Sequence, residues 1–264
     1  MIRSGGAMRA CAKGIRSKAN EEIAMKRWAW CLALSLMGST ASAETLDLID
    51  DLGQAEFKAF SEDMAGAIGY KAISPAEPLG IIGFDIGIEL TSTNMDSPET
   101  WGKAMSDSGK LSSLVLPKFY VQKGLPLNID VGAYYIKVPG SNIEAWGGEL
   151  KYAILEGSTV TPAVAIRGTY SGLFGVDQLD FETQSLDVSI SKGFLFFTPY
   201  AGIGQQWTTS TPKGTAAALL NEESFSDNKI FVGLAMRPGI FNLSFEHETL
   251  GDVSSSSIKL GLTF

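Results

Sequence analysis

From Gly80 to Phe264 the chain repeats one pattern, apolar and polar residues in alternation, and that period of two limits what it can fold into more than any other feature. Successive side chains on a β-strand point to opposite faces, so the alternation sorts each strand into an apolar side and a polar side. In GIIGFDIGIELTST, Ile82, Phe84, Ile86, Ile88 and Leu90 share one phase, and Gly83, Asp85, Gly87 and Glu89 the other. PLNIDVGAYYIKV sets Leu127, Ile129, Val131, Ala133 and Tyr135 against Asn128, Asp130, Gly132 and Tyr134. IEAWGGELKYAIL, TVTPAVAIRGTY, KIFVGLAMR and IFNLSFEHE follow the same rule, and Ser112 to Gln122, Thr183 to Lys192 and Phe196 to Trp207 follow it more weakly. The chain ends on SIKLGLTF, where Ile258, Leu260, Leu262 and Phe264 form a last apolar stripe. The pattern predicts about ten strands of about 10 to 13 residues, the length of a tilted membrane-crossing strand rather than the five or six usual in soluble proteins.

The connections fall into two kinds. Tight turns are expected at Lys123-Gly124, Glu156-Gly157, Lys192-Gly193 and Arg237-Pro238-Gly239, alternating with longer loops at 94–111, 138–143, 171–179, 208–227 and 249–254. Short and long connections therefore gather at opposite ends, with the chain entering and leaving at the short end. In a bilayer core an unpaired backbone group finds no water, so a sheet must close on itself. The competing fold is a soluble sandwich or lipocalin-like barrel, whose strands also alternate but pack one phase into an apolar core. Strand length, loop asymmetry, an export signal and the terminal aromatic favour an all-β transmembrane antiparallel barrel over 80–264.

The export signal occupies 25–43. Met25-Lys26-Arg27 precedes the apolar run Trp28 to Met37, and Gly-Ser-Thr-Ala-Ser-Ala leads to a cleavage site before Glu44. The apolar run is too short to cross a bilayer as a mature helix. Residues 1–24 lie upstream of a complete signal and read as a mis-assigned leader. Cleavage removes both cysteines, Cys11 and Cys31, so no disulfide is expected in the mature protein. Removing residues 1–43 takes seven basic and two acidic side chains from totals of 21 and 29, leaving 14 against 27, a net charge of −13. That balance argues against a nucleic-acid partner.

Between the signal and the strands, Glu44 to Ala67 reads as an amphipathic helix with Leu46, Ile49, Leu52, Phe57, Phe60 and Met64 at helical spacing, interrupted at Gly53. Seven acidic residues against Lys58 make its outer face negative. Pro75 and Pro78 mark a linker. Segment 44–79 is either a lumenal plug, entering from the periplasmic side with its acidic face toward Lys151 or Arg167, or a periplasmic arm on which Leu52, Phe57 and Phe60 dock a partner.

The signal MKRWAWCLALSLMGSTASA, hairpins such as FFTPYAGIGQQW and the ending IKLGLTF resemble Gram-negative outer-membrane β-barrel proteins. The resemblance implies an outer-membrane location, surrounding membrane lipid, and recognition of Ile258, Leu260, Leu262 and Phe264 by the barrel-assembly machinery. It implies an architecture and no single function, since such barrels include pores, enzymes and adhesins.

Motifs for chemistry are sparse. The lone histidine, His247, shares the outward phase of Phe241, Leu243 and Phe245, away from any lumenal base, and the serines at 254–257 read as a polar loop. Gly202-Ile203-Gly204 lies in a strand and lacks the remainder of a dinucleotide fingerprint, and the acids from Glu222 to Asp227 lack calcium-loop spacing. No catalytic residue, cofactor or metal is assigned. The inward phase instead collects Asp85, Glu89, Asp130, Glu149, Asp187 and Glu246 against Lys118, Lys151, Arg167, Arg237 and Lys259, a lumenal charge network. In a narrow barrel such charges pair across the interior and fill it. The expected function is a non-enzymatic barrel, structural or a narrow selective path for a small solute or lipid. The alternatives are an envelope lipid- or peptide-modifying enzyme using His247 and an adhesin acting through its loops.

Overall fold

The computed structural model describes residues 45–105, 110–138 and 140–264; the leader and signal segment expected over 1–43 lie outside the described residues. Ten antiparallel strands close into one barrel. They are β1 Phe84–Asn94, β2 Ser113–Leu125, β3 Ile129–Lys137, β4 Glu144–Glu156 and β5 Ala163–Phe174, then β6 Leu179–Ser191, β7 Phe197–Pro212, β8 Glu223–Met236, β9 Phe241–Leu250 and β10 Val253–Thr263. Each strand pairs with its neighbours in sequence, and β1 with β10 closes the ring. At that seam the Phe84 amide donates to the Phe264 carbonyl at 3.1 Å and the Phe264 amide donates back at 2.8 Å. The C-terminal residue is thus a member of the ladder.

Glycine lets large rings fit inside so small a circumference. Gly202 lies opposite Phe231 on β8, and a Cβ there would sit 2.2 Å from the ring. Gly233 stands in the same relation to Tyr200. Each ring lies over a residue that has no side chain, covering exposed backbone and filling the interior at once.

Three tight turns fall where expected, after Glu156, Ser191 and Met236, and one does not. Lys123 and Gly124 remain inside β2, and the reversal comes at Pro126–Asn128, with Leu127 and Asn128 at φ 65° and 60°. Gly124 is needed where it is for close approach, because a Cβ would meet the Gly80 carbonyl at 1.9 Å. The loops expected at 171–179 and 249–254 shrink to 175–178 and to Gly251-Asp252 because the strands run further than the alternation suggested. Ser254 to Ser257 accordingly belong to β10 rather than to a loop. The connections at 95–112 and 213–222 remain long. The first carries a short helix, α2 Pro98–Ala104, and the second a single 3-10 turn, Ala216–Ala218.

The N-terminal helix breaks at Gly53, as the sequence indicates. A 3-10 turn at Ile49–Asp51 comes first, then α1 Gln54–Ile68. The Gly53 amide donates to Glu56 Oε2 at 3.0 Å, satisfying one amide that the first helical turn leaves free. Leu46, Ile49, Leu52, Phe57, Phe60 and Met64 are all buried, so the apolar stripe faces protein and is not open to a periplasmic partner.

Candidate functional site

The barrel is inside-out relative to a soluble protein. Large apolar side chains such as Ile88, Phe119, Leu150, Ile203, Val232 and Phe241 are exposed on its exterior, while its interior buries carboxylates and amines. An apolar exterior around a closed ladder is what a bilayer requires. The chain is a transmembrane β-barrel.

Residues 45–79 thread the lumen from one rim to the other. At the rim of the long loops, Leu46 bridges to Met105 and its amide donates to Asn142 Oδ1 at 2.9 Å. The Asn221 amide donates to Gln54 Oε1 at 2.8 Å. Helix α1 then descends inside the wall, where Phe60 stacks on Trp101 at 4.6 Å and Ser61 bonds Ser210 of β7 at 2.8 Å. Asp63 accepts hydrogen bonds from the Asp96 and Ser97 amides and from Trp101 Nε1, at 2.8, 3.0 and 3.0 Å. This carboxylate latches the first long loop over the helix, and Trp101 is a packing residue of that latch.

Below the helix the linker runs extended to the opposite rim, and lysines of the wall hold it by its carbonyls. Lys229 Nζ donates to the Tyr70 carbonyl at 2.9 Å, and Lys151 Nζ to those of Pro75 and Glu77 at 3.1 and 3.0 Å. Lys259 Nζ reaches the Ala72 carbonyl at 3.4 Å. In return the Ala76 amide donates to Ser191 Oγ at 3.1 Å and the Leu79 amide to Asp130 at 3.1 Å. The acidic helix does not enter from the periplasmic side toward Lys151 or Arg167; it occupies the loop end, and the linker's backbone is what meets Lys151. A negative helix face is better solvated near the open rim than beside buried acids. Extended backbone, by contrast, presents carbonyls that lysines can bind without another charge.

The wall charges pair among themselves at the same level. Lys151 meets Asp130 at 2.9 Å, Arg167 meets Glu149 at 3.3 Å, and Lys259 meets Asp85 at 3.2 Å. Asp85 also accepts from Tyr120 at 2.9 Å and Asn242 at 2.7 Å. Glu89 stands opposite both Lys118 and Lys259 in the ladders, and Lys118 Nζ lies 4.8 Å from the centre of the Tyr134 ring. Asp187 and Glu246 are buried in the same band, whereas Arg237 lies beyond the end of β8, half-exposed in its turn. Its Nε is nevertheless buried and its charge acts on Asp85, so it stands at the short-turn edge of the lumenal network.

Three members escaped the sequence reading. Lys229 joins Glu248 at 3.2 Å and Asp187 at 3.8 Å, and Lys71 of the linker joins Glu248 at 3.2 Å. Lys229 and Glu248 share the inward phase of residues already read as lumenal, so phase alone could have found them. Nothing periodic marks Lys71.

No protein-family model matches the chain, and no curated protein matches it. Solved structures similar to it include the N-terminal β-barrel domain of Pseudomonas aeruginosa OprF, at 12% identity over 70% of this chain and 99% of that one, with a TM-score of 0.32. The outer membrane protein OprG of the same organism is 10% identical over 72% of this chain and 99% of its own, with a TM-score of 0.33. The attachment invasion locus protein Ail of Yersinia pestis is 14% identical over 69% and 97%, with a TM-score of 0.28.

His247 is exposed on the outer face of β9, where its Nδ1 lies 3.0 Å from Ser256 Oγ of β10. Among the described residues no group of three or more His, Cys, Asp or Glu side chains is placed to hold a metal ion.

Proposed function

We propose that the protein is an outer-membrane barrel closed by its own N-terminal segment, non-enzymatic, with a structural role at rest and a narrow solute path only when segment 45–79 is displaced. The observation that carries this reading is the grip of Lys151, Lys229 and Lys259 on the linker's carbonyls. Such contacts hold backbone of any sequence, and water can replace them one at a time. A plug bound this way closes the lumen firmly and still has a route out.

The test fixes the helix to the wall. Ser61 and Ser210 touch at 2.8 Å and can be replaced by a cysteine pair, with Cys11 and Cys31 changed to alanine. In planar bilayers the reduced S61C/S210C protein is expected to give infrequent openings under voltage or mild urea, and the oxidised form none. Steady conductance through the oxidised protein would overturn the reading. The contact of His247 with Ser256 favours a second reading, ester hydrolysis at the outer face, in which the imidazole takes the serine proton. Ester-cleaving activity that disappears in both His247→Ala and Ser256→Ala would establish it.

A further inference from the structure

On β6 to β10 the exterior apolar band is too short to match a bilayer if it stops at the strand ends, whereas on β4 it already runs from Trp146 to Leu155. On β9 it runs from Phe241 through Leu243 to Phe245 and gives way to His247 and Thr249. With a rise of about 3.3 Å per residue on a strand tilted by about 40°, those residues cover about 10 Å of a band that should stand about 25 Å tall. On β6 the exterior turns polar at Gln184, and on β7 Gln205 interrupts it before Trp207. The deficit lies at the loop end of the strands, so the missing height must come from the other end.

That end supplies it in an unusual way. Connections between strands are ordinarily polar. Here all four short turns carry an exposed aliphatic residue: Leu127 at 80% exposure, Val160 at 85%, Leu195 at 102% and Ile240 at 50%. Ile82, just before β1, is 90% exposed. Leu127 and Leu195 hold their positions in the left-handed region, at φ 65° and 56°, a conformation that costs a leucine of the order of 1 kcal/mol and is normally left to glycine. Measured from Leu195 to Ile203, or from Leu127 to Tyr135, the band becomes about 20 Å tall.

The backbone of this rim is prepared for a dry environment. Lys192 Nζ donates to the carbonyls of Ser158 and Thr159 at 2.8 Å each and of Thr161 at 3.3 Å, across the neighbouring turn. Lys123 Nζ donates to those of Ile81 and Gly83 at 2.5 and 3.1 Å. Carbonyls left by the turns would otherwise need water.

We infer that the short-turn rim lies within the membrane interface, with Ile82, Leu127, Val160, Leu195 and Ile240 inserted among the acyl chains of the adjacent leaflet and Lys123 and Lys192 at headgroup level. The occupant of this apolar ring is phospholipid, because the ring continues the lipid-facing band and restores its height. The barrel consequently sits low, with the polar outer halves of β6 and β8 to β10 standing clear of the bilayer on the loop side and Trp207 of β7 at its edge. This rests on the transmembrane reading of the fold and is independent of whether the plug moves.

Nitroxide labels report the position directly. In full-length protein with Cys11 and Cys31 changed to alanine, single cysteines replace Leu127, Val160 or Leu195, and Leu219 on the loop side serves as an aqueous reference, being 67% exposed. Each is folded into vesicles of phosphatidylethanolamine and phosphatidylglycerol with a nickel chelate on both sides of the membrane, and only heat-modifiable, folded protein is read. The turn labels are expected to collide with oxygen rather than with nickel, giving a ratio several-fold above that at Leu219. Turn labels as open to nickel as Leu219 would overturn the inference and leave the ring as a surface for a periplasmic protein.

Discussion

Phe264 can be separated into two functions, because its backbone and its ring do different things. The backbone exchanges two hydrogen bonds with Phe84 at the seam, and the residue, 61% exposed, turns its ring outward. Phe264→Ser keeps the bonds and loses the ring, whereas deletion loses both. Folded protein recovered in the membrane, read by heat-modifiable gel migration, is expected to fall for the substitution and further for the deletion; normal insertion of the deletion would show that the seam closes without its last pair. A second residue-scale expectation concerns Lys229, which is buried and binds Glu248, Asp187 and the linker at once. Removing one member of a buried charge group leaves its partners uncompensated, at a cost of about 3 to 5 kcal/mol. Lys229→Met should lower the urea midpoint of unfolding in bilayers accordingly, and a change below about 1 kcal/mol would mean that water already shields the group. Lys229 was legible in the sequence, since Ile230 and Val232 fix its phase as inward. Lys71 was not, because the linker has no period against which to place it.

Among the elements, α1 owes its start to Glu56. The Gly53 amide, and after it Lys103, holds the Glu56 carboxyl below its usual range. A carboxylate depressed in the folded state stabilises that state at neutral pH, and the contribution disappears as the pH falls from the ordinary glutamate range through the folded value. Amide protection at Gly53 to Phe57 should therefore drop between pH 6 and pH 3 in the native protein, while Glu56→Gln shows the lower protection at both values and no such step. Strand phases were readable because one face meets lipid and the other charge, so each substitution along a strand reports a side. Turn positions were less so. Glycine marks turns by its freedom at positive φ, as Gly157 and Gly239 do, yet Gly124 is required by a close approach to Gly80, and Leu127 and Leu195 occupy left-handed positions in the other two turns. A sequence signal with two physical causes could not by itself say which applied.

At the scale of the whole molecule, the direction of threading decides the state of the lumen. The sequence allowed a plug and supplied its apolar stripe, but the carbonyls that bind Lys151, Lys229 and Lys259 belong to Pro75, Glu77, Tyr70 and Ala72, residues whose side chains say nothing of the contact. Depth and direction were hidden for that reason. With segment 45–79 displaced, the buried part of the wall, short of Arg237 at its edge, keeps Asp85, Glu89, Asp130, Glu149, Asp187, Glu246 and Glu248 against Lys118, Lys151, Arg167, Lys229 and Lys259, seven acids to five bases. The lysines that now bind linker carbonyls would face water, free to be screened, while the acids retain their small excess along the path. Field lines in a narrow low-dielectric passage concentrate that excess, so the open state should prefer cations. Reversal potentials of the reduced S61C/S210C protein across a potassium chloride gradient are expected to shift toward the potassium equilibrium value. Glu89→Gln/Glu246→Gln in the same background brings the count to five against five and should bring the reversal potential close to zero. An anion preference in the reduced protein, or no response to the paired substitution, would place the conducting path outside this wall.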